Sequence, residues 1–292
     1  MTRVPRATQH YTSTMTIGVD LGGSTIRAGI EQDGTITQLS RVALENKASL
    51  SATLSQLLEL IRPYAKLPVK GIGVGVPSVV DIEKGIVYNV VNIPSWERVE
   101  LRNILEEEFG LPVFINNDVN CFTLGEHRYG LARTYSSVVG MAIGTGLGSG
   151  LITNNRLYMG HNCGAGEIGM LPYLDRNLEY YVCSHFFEKK HGLTAYDAQR
   201  AALRGNTRAL KIWEEFGMHL GYAIKAVIYA YDPEVIVLGG SIAKGYDFFK
   251  DTMLHSLDDF AFPQSVRRLK IMRSEDDCIA LLGAAALVDQ AL

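Results

Sequence analysis

From Thr16 onward, apolar residues alternate with polar or small ones in short runs, broken by glycine turns. The pattern predicts a strand over Thr16–Leu21, a turn at Gly22-Gly23-Ser24 and a second strand over Thr25–Ile30. A third strand near Thr35–Ala43 follows the turn at Asp33-Gly34. Leu50, Leu54, Leu57, Leu58 and Ile61 then recur at helical spacing, and Pro63 or Pro68 ends the helix. Gly71–Val76 reads as a buried strand running into Pro77. Leu101, Ile104, Leu105 and Phe109 form a second helical stripe, closed by Gly110. Pro112–Ile115 is strand-like and leads into Asn116-Asn117-Asp118, where a helix begins.

The second half starts in the same way. An offset of 122 residues places Gly18 on Gly140, Gly22 on Gly144 and Ile30 on Ile152. Both segments are an apolar strand, a Gly/Thr/Ser turn and another apolar strand, which suggests two related α/β lobes facing each other across a cleft. A long helix over about Thr207–Tyr231 stops at Asp232-Pro233, and a strand Val235–Leu238 ends in Gly239-Gly240-Ser241. A helix around Tyr246–Leu257, a strand near Leu269–Met272 and a last helix Ile279–Ala291 complete the alternation. The expected division is a polar, frayed extension over residues 1–15, a first lobe over 16–130 and a second over 131–292.

Composition narrows the function classes. The chain has 292 residues, 47% hydrophobic and 20% charged, with a net charge of −3. This is a globular composition without an electrostatic footprint for nucleic acid. Cys121, Cys163, Cys183 and Cys278 lack CxxC spacing, so no disulfide framework or zinc ribbon is read from them. The first fifteen residues contain no apolar signal core, and a cytoplasmic location is expected. Between Arg133 and Arg156 there is no charge, but Gly140, Gly144, Gly146, Gly148 and Gly150 interrupt the run, which suits turns between strands and not a membrane span.

Five segments carry candidate chemistry. Asp20-Leu21-Gly22-Gly23-Ser24-Thr25 offers backbone N–H groups and two hydroxyls to a phosphate, or is an ordinary glycine hairpin beside an aspartate. Gly144-Thr145-Gly146-Leu147-Gly148 has the same two readings; no Gly-Lys-Ser/Thr follows it and a strand continues from it, so it is neither a Walker A nor a Rossmann loop. Asn116-Asn117-Asp118-Val119-Asn120 sits where ligands bind in α/β sheets, with Asp118 a candidate base; the alternative is simple helix capping. Glu167, in Gly164-Ala165-Gly166-Glu167-Ile168-Gly169, and Glu179 are acceptors that could hold sugar hydroxyls, or are ordinary exposed loop acids, the commoner case. Gly239-Gly240-Ser241 would let a flat base lie against the backbone.

In this order, spread over residues 16–290, the five segments resemble the ROK group of sugar kinases, an α/β family with two actin-like (ribonuclease H-like) lobes and a cleft between them. Gly75-Val76-Pro77-Ser78 resembles the family's GxPG, and Asn117–Asn120 with Gly125-Glu126 its NDANAAALGE stretch. The resemblance implies an ATP-dependent kinase that phosphorylates a hexose or N-acetylhexosamine hydroxyl, most often the 6-OH, with Asp118 as general base. It places Asn117, Glu167, Glu179 and Ser78 on the sugar, and Gly22, Gly23, Ser24, Thr25, Thr145 and Gly146 on the ATP phosphates. Gly239, Gly240 and Ser241 fall at the adenosine, and Asp20 at Mg²⁺, directly or through water. A homodimer acting on sugar and ATP, with no nucleic-acid or membrane partner, is expected.

Two departures stand out. Met170 replaces the histidine of the family's GAGExGH, and the zinc-binding cysteine cluster after it is missing. No structural zinc is expected, since His161, Cys163, Cys183, His185 and His191 fit no zinc spacing. Leu171, Tyr173, Leu174, Leu178, Tyr180, Tyr181, Phe186 and Phe187 are expected to pack as a hydrophobic cluster in its place. The alternatives within the family are a non-catalytic sugar sensor and a sugar-responsive repressor. The repressors carry a helix-turn-helix domain ahead of the kinase-like body, and the short stretch before Asp20 argues against that form.

Overall fold

The computed structural model describes residues 15–90 and 92–291. The polar stretch read as an extension lies outside the described residues up to residue 14, and Met15 already belongs to the first strand.

The first lobe opens with β1 (Met15–Leu21), β2 (Thr25–Gln32), β3 (Thr35–Ala43), α1 (Leu50–Ile61) and β4 (Val69–Val76). Three short strands follow, β5 (Val79–Asp81), β6 (Ile86–Tyr88) and β7 (Arg98–Val99), forming a small sheet of their own. Then come α2 (Leu101–Phe109), β8 (Val113–Asn117) and α3 (Asp118–Arg128). The second lobe has β9 (Val138–Ile143), β10 (Leu147–Thr153), β11 (Arg156–Tyr158), the hairpin β12 (Pro172–Tyr173) and β13 (Arg176–Asn177), α4 (Leu178–Tyr181) and α5 (Ala195–Leu203). It ends with α6 (Thr207–Tyr231), β14 (Val235–Gly239), α7 (Tyr246–His255), α8 (Pro263–Arg268), β15 (Lys270–Arg273) and α9 (Ile279–Ala291).

The two main sheets have one topology. Their orders are β3-β2-β1-β4-β8 and β11-β10-β9-β14-β15. In each, three antiparallel strands are followed by two that run parallel to the central one. The repeat at 122 residues is therefore a structural repeat. Its matched pair Gly18 and Gly140 do one job in each lobe: a methyl group on Gly18 would overlap the Leu281 carbonyl of α9, and one on Gly140 would overlap the Thr123 hydroxyl of α3. Both glycines let a helix lie close against a strand. The last helix thus returns to the first sheet, and α3 lies on the second.

Local chemistry sets the element ends. Gly110 takes the left-handed conformation after α2. Asn206 caps the start of α6 by accepting the Ala209 N–H, and Asp232, in the left-handed region before Pro233, stops it. The centre of β4, Gly71–Val76, is buried throughout, as expected for a parallel strand covered on both faces.

Candidate active site

The segment Asn116–Asn120 resolves its two sequence readings residue by residue. Asn117 is the cap of α3: its Oδ1 accepts the N–H groups of Val119 at 2.8 Å and Asn120 at 3.3 Å. Its Nδ2 donates to the Ser78 carbonyl at 3.3 Å, while the Ser78 hydroxyl donates to the Tyr88 carbonyl. Asp118 is left as the acid, and its Oδ1 accepts the Val119 N–H, at 2.9 Å. Burial and the negative charge of Asp20 push its carboxyl up to about 7; the Val119 N–H opposes this and Glu167 adds to it. Such a carboxylate can hold and release a proton near neutrality. Beneath it, Asn116 Oδ1 accepts from Asn120 Nδ2 at 2.9 Å and from the Cys163 thiol at 3.4 Å, which braces the β8–α3 corner.

The first glycine turn joins β1 to β2, with Gly22 N–H bonded to the Thr25 carbonyl at 2.8 Å. Asp20 pairs across the hairpin with Arg27, whose Nε and Nη2 reach its Oδ2 at 2.9 and 2.6 Å. A second cation, Lys47, donates to the Gly23 carbonyl at 2.5 Å. Neither cation was part of the sequence reading, and both lie at the first glycine turn. Arg27 did not follow from the turn as read: a three-residue turn at Gly22–Ser24 would set Asp20 opposite Ile26, whereas the strands pair Leu21 with Ile26 and Asp20 with Arg27. Lys47 lies far along the chain after β3 and leaves no local signal.

The second glycine turn joins β9 to β10. Glu179, the first acid of α4, accepts the Leu147 N–H at 3.0 Å through Oε2 and lies against Gly146. Ser184 N–H donates to the Gly144 carbonyl at 2.9 Å, and a methyl group on Gly144 would meet the Ser241 hydroxyl at 3.8 Å. Gly239 and Gly240 are glycines for an internal reason: the Phe122 ring packs against the first, and the second has a φ of 87° against the Ile143 backbone.

Four carboxylates thus converge in one electrostatic neighbourhood. Asp20 and Glu167 act on Asp118, and burial together with the Glu179 charge raises the Glu167 carboxyl above its ordinary value. Asp20 has committed Oδ2 to Arg27, so a Mg²⁺ ion here would have Oδ1 to bind, which would suit a hydrated ion better than a chelated one. The donors named for an unusual zinc site are dispersed. His161 is exposed, the Cys163 thiol is bonded to Asn116, Cys183 is buried under His185 N–H, and His191 pairs with Glu215. Among the described residues no group of three or more His, Cys, Asp or Glu is arranged to hold a metal ion.

The segment after Met170 follows the expected packing only in part. Leu178, Tyr181, Phe186 and Phe187 are buried, and Tyr173 and Tyr180 pack against the same core. Leu171 and Leu174 do not join them, being 45% and 69% exposed. Leu174 occupies the tip of the β12–β13 hairpin with a φ of 51°, so the turn directs it outward.

Known proteins agree with this architecture. The chain is 28% identical to a glucokinase of Thermotoga maritima, over 94% of this chain and 97% of that protein. It is 31% identical to an N-acetyl-D-glucosamine kinase of Vibrio cholerae, over 82% and 88%. A xylose repressor of Bacillus spizizenii is 26% identical over 85% of this chain and 70% of its own length. Among solved structures, a sugar kinase described as putative from Cytophaga hutchinsonii superposes with a TM-score of 0.84 at 26% identity, covering 94% of this chain and 99% of that one. A ROK family glucokinase of Streptomyces griseus, solved with glucose and AMPPNP, shares the fold at a TM-score of 0.80 and 22% identity, over 94% and 99%. The fold is the two-lobed actin-like fold. The family model for ROK matches residues 16–291, and the chain belongs to the ROK family.

Proposed function

We propose that this chain is an ATP-dependent sugar kinase acting on a hexose or N-acetylhexosamine hydroxyl, the 6-OH foremost. The observation that carries the reading is Asp118: an acid raised to about 7, on the first turn of α3, with Asp20 and Glu167 acting on it. Asp118 would take the hydroxyl proton as the oxygen attacks the γ-phosphorus. Gly22–Thr25 with Thr145 and Gly146 would cradle the phosphates, and Arg27 and Lys47 would offset their charge. A hydrated Mg²⁺ beside Asp20 would neutralise the transferring group. Glu167 and Glu179 would accept from sugar hydroxyls; Asn117 and Ser78 would shape the same wall, since their polar atoms are engaged by the protein. Ser241, beside Gly144, would meet the adenosine over the Gly239-Gly240 backbone.

The division into lobes of 16–130 and 131–292, with α9 crossing back, belongs to this reading. So do a cytoplasmic location, the absence of structural zinc and a homodimer. No helix among the described residues is long and apolar enough to cross a membrane.

A non-catalytic sensor or regulator is the second reading. The likeness to a xylose repressor favours it, as does Met170, 52% exposed where the family's kinases carry a histidine. A coupled ADP-release assay on glucose, mannose, fructose, allose, N-acetylglucosamine and N-acetylmannosamine separates the two. Sugar-dependent ADP release supports the kinase; sugar binding without ADP release supports the sensor.

A further inference from the structure

The loop that follows β11 reaches from the second lobe into the first. Ala165 N–H donates to the Met159 carbonyl at 3.2 Å and closes the loop at its base. On the second lobe, the Ser149 hydroxyl of β10 donates to the Gly166 carbonyl, and Gly166, with a φ of 96°, lies against the Ser149 backbone. At the tip, Cys163 is buried in the apolar core of the first lobe, the one that contains Val74, Val80 and Ile115. Its thiol donates to Asn116 Oδ1 at 3.4 Å and accepts from Asn120 Nδ2 at 3.7 Å. The Asn116 amide also donates through Nδ2 to Met159 Sδ at 3.0 Å. One buried asparagine, two residues before Asp118, therefore holds both sulfurs of the loop.

Cys163 stands in the left-handed region, at a φ of 56°. That conformation is unfavourable for a residue with a Cβ and persists only where the surroundings impose it. Four residues on, the same loop carries Glu167. The backbone that places Glu167 is pinned at Gly166 on the second lobe and at Cys163 on the first. Glu167 in turn acts on Asp118, on the first turn of α3. Burial pushes the Cys163 thiol up, so it is neutral where Asp118 titrates and adds no charge of its own.

Resting on the kinase reading of this site, we infer that Cys163 is a positioning residue: its thiol, seated on Asn116 and Asn120, holds Glu167 of the second lobe to the sugar and to Asp118 of the first. Without the thiol the loop tip leaves Asn116, and Glu167 moves with it.

The test compares Cys163→Ala, Cys163→Ser and Cys163→Gly with wild type in the full chain. The readouts are ADP release against pH on the sugar that wild type turns over fastest, calorimetric titration with that sugar, and thermal melts. Cys163→Ala should raise sugar KM and weaken sugar binding about fivefold, the scale of one lost hydrogen bond, with ATP KM within about twofold. Its acid limb of kcat/KM should move to lower pH. The groups facing Asp118 are Asp20, which Arg27 pairs, the Cys121 thiol and Glu167; Glu167 is the one the loop carries, and once displaced it no longer raises Asp118. Added to Glu167→Gln, Cys163→Ala should shift the limb no further. Cys163→Ser keeps a donor and should recover most of both effects. Cys163→Gly suits the left-handed backbone but has no thiol, so it should melt at least as high as Cys163→Ala and share its kinetic losses, including where Cys163→Ala folds poorly. An unmoved acid limb in both variants that lack a donor overturns the inference, even where they melt lower than wild type. Wild-type sugar affinity in Cys163→Gly also overturns it, because the bend of the backbone and not the thiol would then place Glu167. Wild type that releases no ADP with any sugar overturns the kinase reading and the positioning role together.

Discussion

At the scale of single residues, Asp118 combines two needs that oppose each other. Burial and the charges of Asp20 and Glu167 favour its protonated form, which lifts the carboxyl to about 7 and makes it an effective proton acceptor near that pH. The same causes make its ionised form unfavourable in the fold. From pH about 4, where an aspartate in the unfolded chain ionises, up to about 7, Asp118 takes stability away as pH rises. Asp118→Asn should therefore lower turnover by about 10²–10⁴ while sugar affinity stays within a few-fold. Retention of a tenth of the activity would remove Asp118 from the role of base. In thermal melts near pH 8 the same variant should melt higher than wild type, and an unchanged or lower midpoint would show that the fold bears no such strain. Glu167→Gln removes one of the charges that hold Asp118 up. The acid limb of kcat/KM, expected below pH about 7 in wild type, should move to lower pH, and sugar KM should rise about tenfold with ATP KM little changed. A fixed acid limb would uncouple the two acids. Asp118 was legible from its place after a strand, but its partition from Asn117 was not, because aspartate and asparagine are equally good caps. Only the side-chain geometry shows which of the two caps α3.

Among the elements, the long and periodic ones were read to within about two residues. These are β1 to β4, α1, α2, α6, β14 and α9, whose apolar spacing is set by the core they face. What escaped was mostly short: the β5-β6-β7 sheet, β11, the β12–β13 hairpin, α4 and α8 carry too few residues for a period to show, and the nine-residue α5 was not read either. The π-helical turn Phe186–Lys190 is likewise invisible in sequence, and it brings Lys190 and His191 over α6. There Glu215 meets Lys190 at 2.6 Å, His191 at 3.2 Å and His219 at 3.8 Å, and Tyr173 Oη lies 3.0 Å from His219 Nδ1. Burial, with the nearby Lys190 charge, lowers both histidines, so the fold holds them neutral. The unfolded chain then binds more protons below pH about 6.5, and stability falls as pH drops from there. His219→Gln, which cannot be protonated, should flatten the acid side of a plot of melting midpoint against pH; an unaltered slope would exonerate the cluster. These rings, with Tyr181, Phe186 and Phe216, also stabilise the segment where the family has zinc. Elemental analysis of protein never exposed to added metal should find well under one zinc per chain. Stoichiometric zinc would sink this account of the segment.

For the whole molecule, the two lobes are joined where α3 and α9 cross, and the crossing is made of glycines. A methyl group on Gly283 would overlap the Cys121 carbonyl of α3, and one on Gly125 would overlap the Ile279 carbonyl of α9. With Gly18 and Gly140 seating the same two helices on the two sheets, both lobes share one close-packed axis. The sequence announced the sheets through Gly18 and Gly140 but gave no sign of this axis, since contacts between residues 121–125 and 279–283 depend on how distant helices meet. Lobe closure around sugar and nucleotide would pivot about it, because among the described residues α3 and α9 make the most extensive contact of any two helices. Gly283→Ala forces the helices apart at a place where backbone, not a flexible side chain, is in the way. It should destabilise the fold by about 1–3 kcal/mol, with each kcal/mol lowering the melting midpoint by about 2–4 °C. Gly164→Ala is the matched control: nothing lies within 4 Å of an added methyl there, so its midpoint should be within about 0.5 kcal/mol of wild type. Because the crossing also sets the angle between the lobes, Gly283→Ala should raise the KM values for sugar and ATP together, unlike Glu167→Gln, which acts on sugar alone. Small-angle scattering should show less sugar-induced compaction than in wild type. A Gly283→Ala protein that melts and compacts like wild type would mean that the lobes hinge elsewhere.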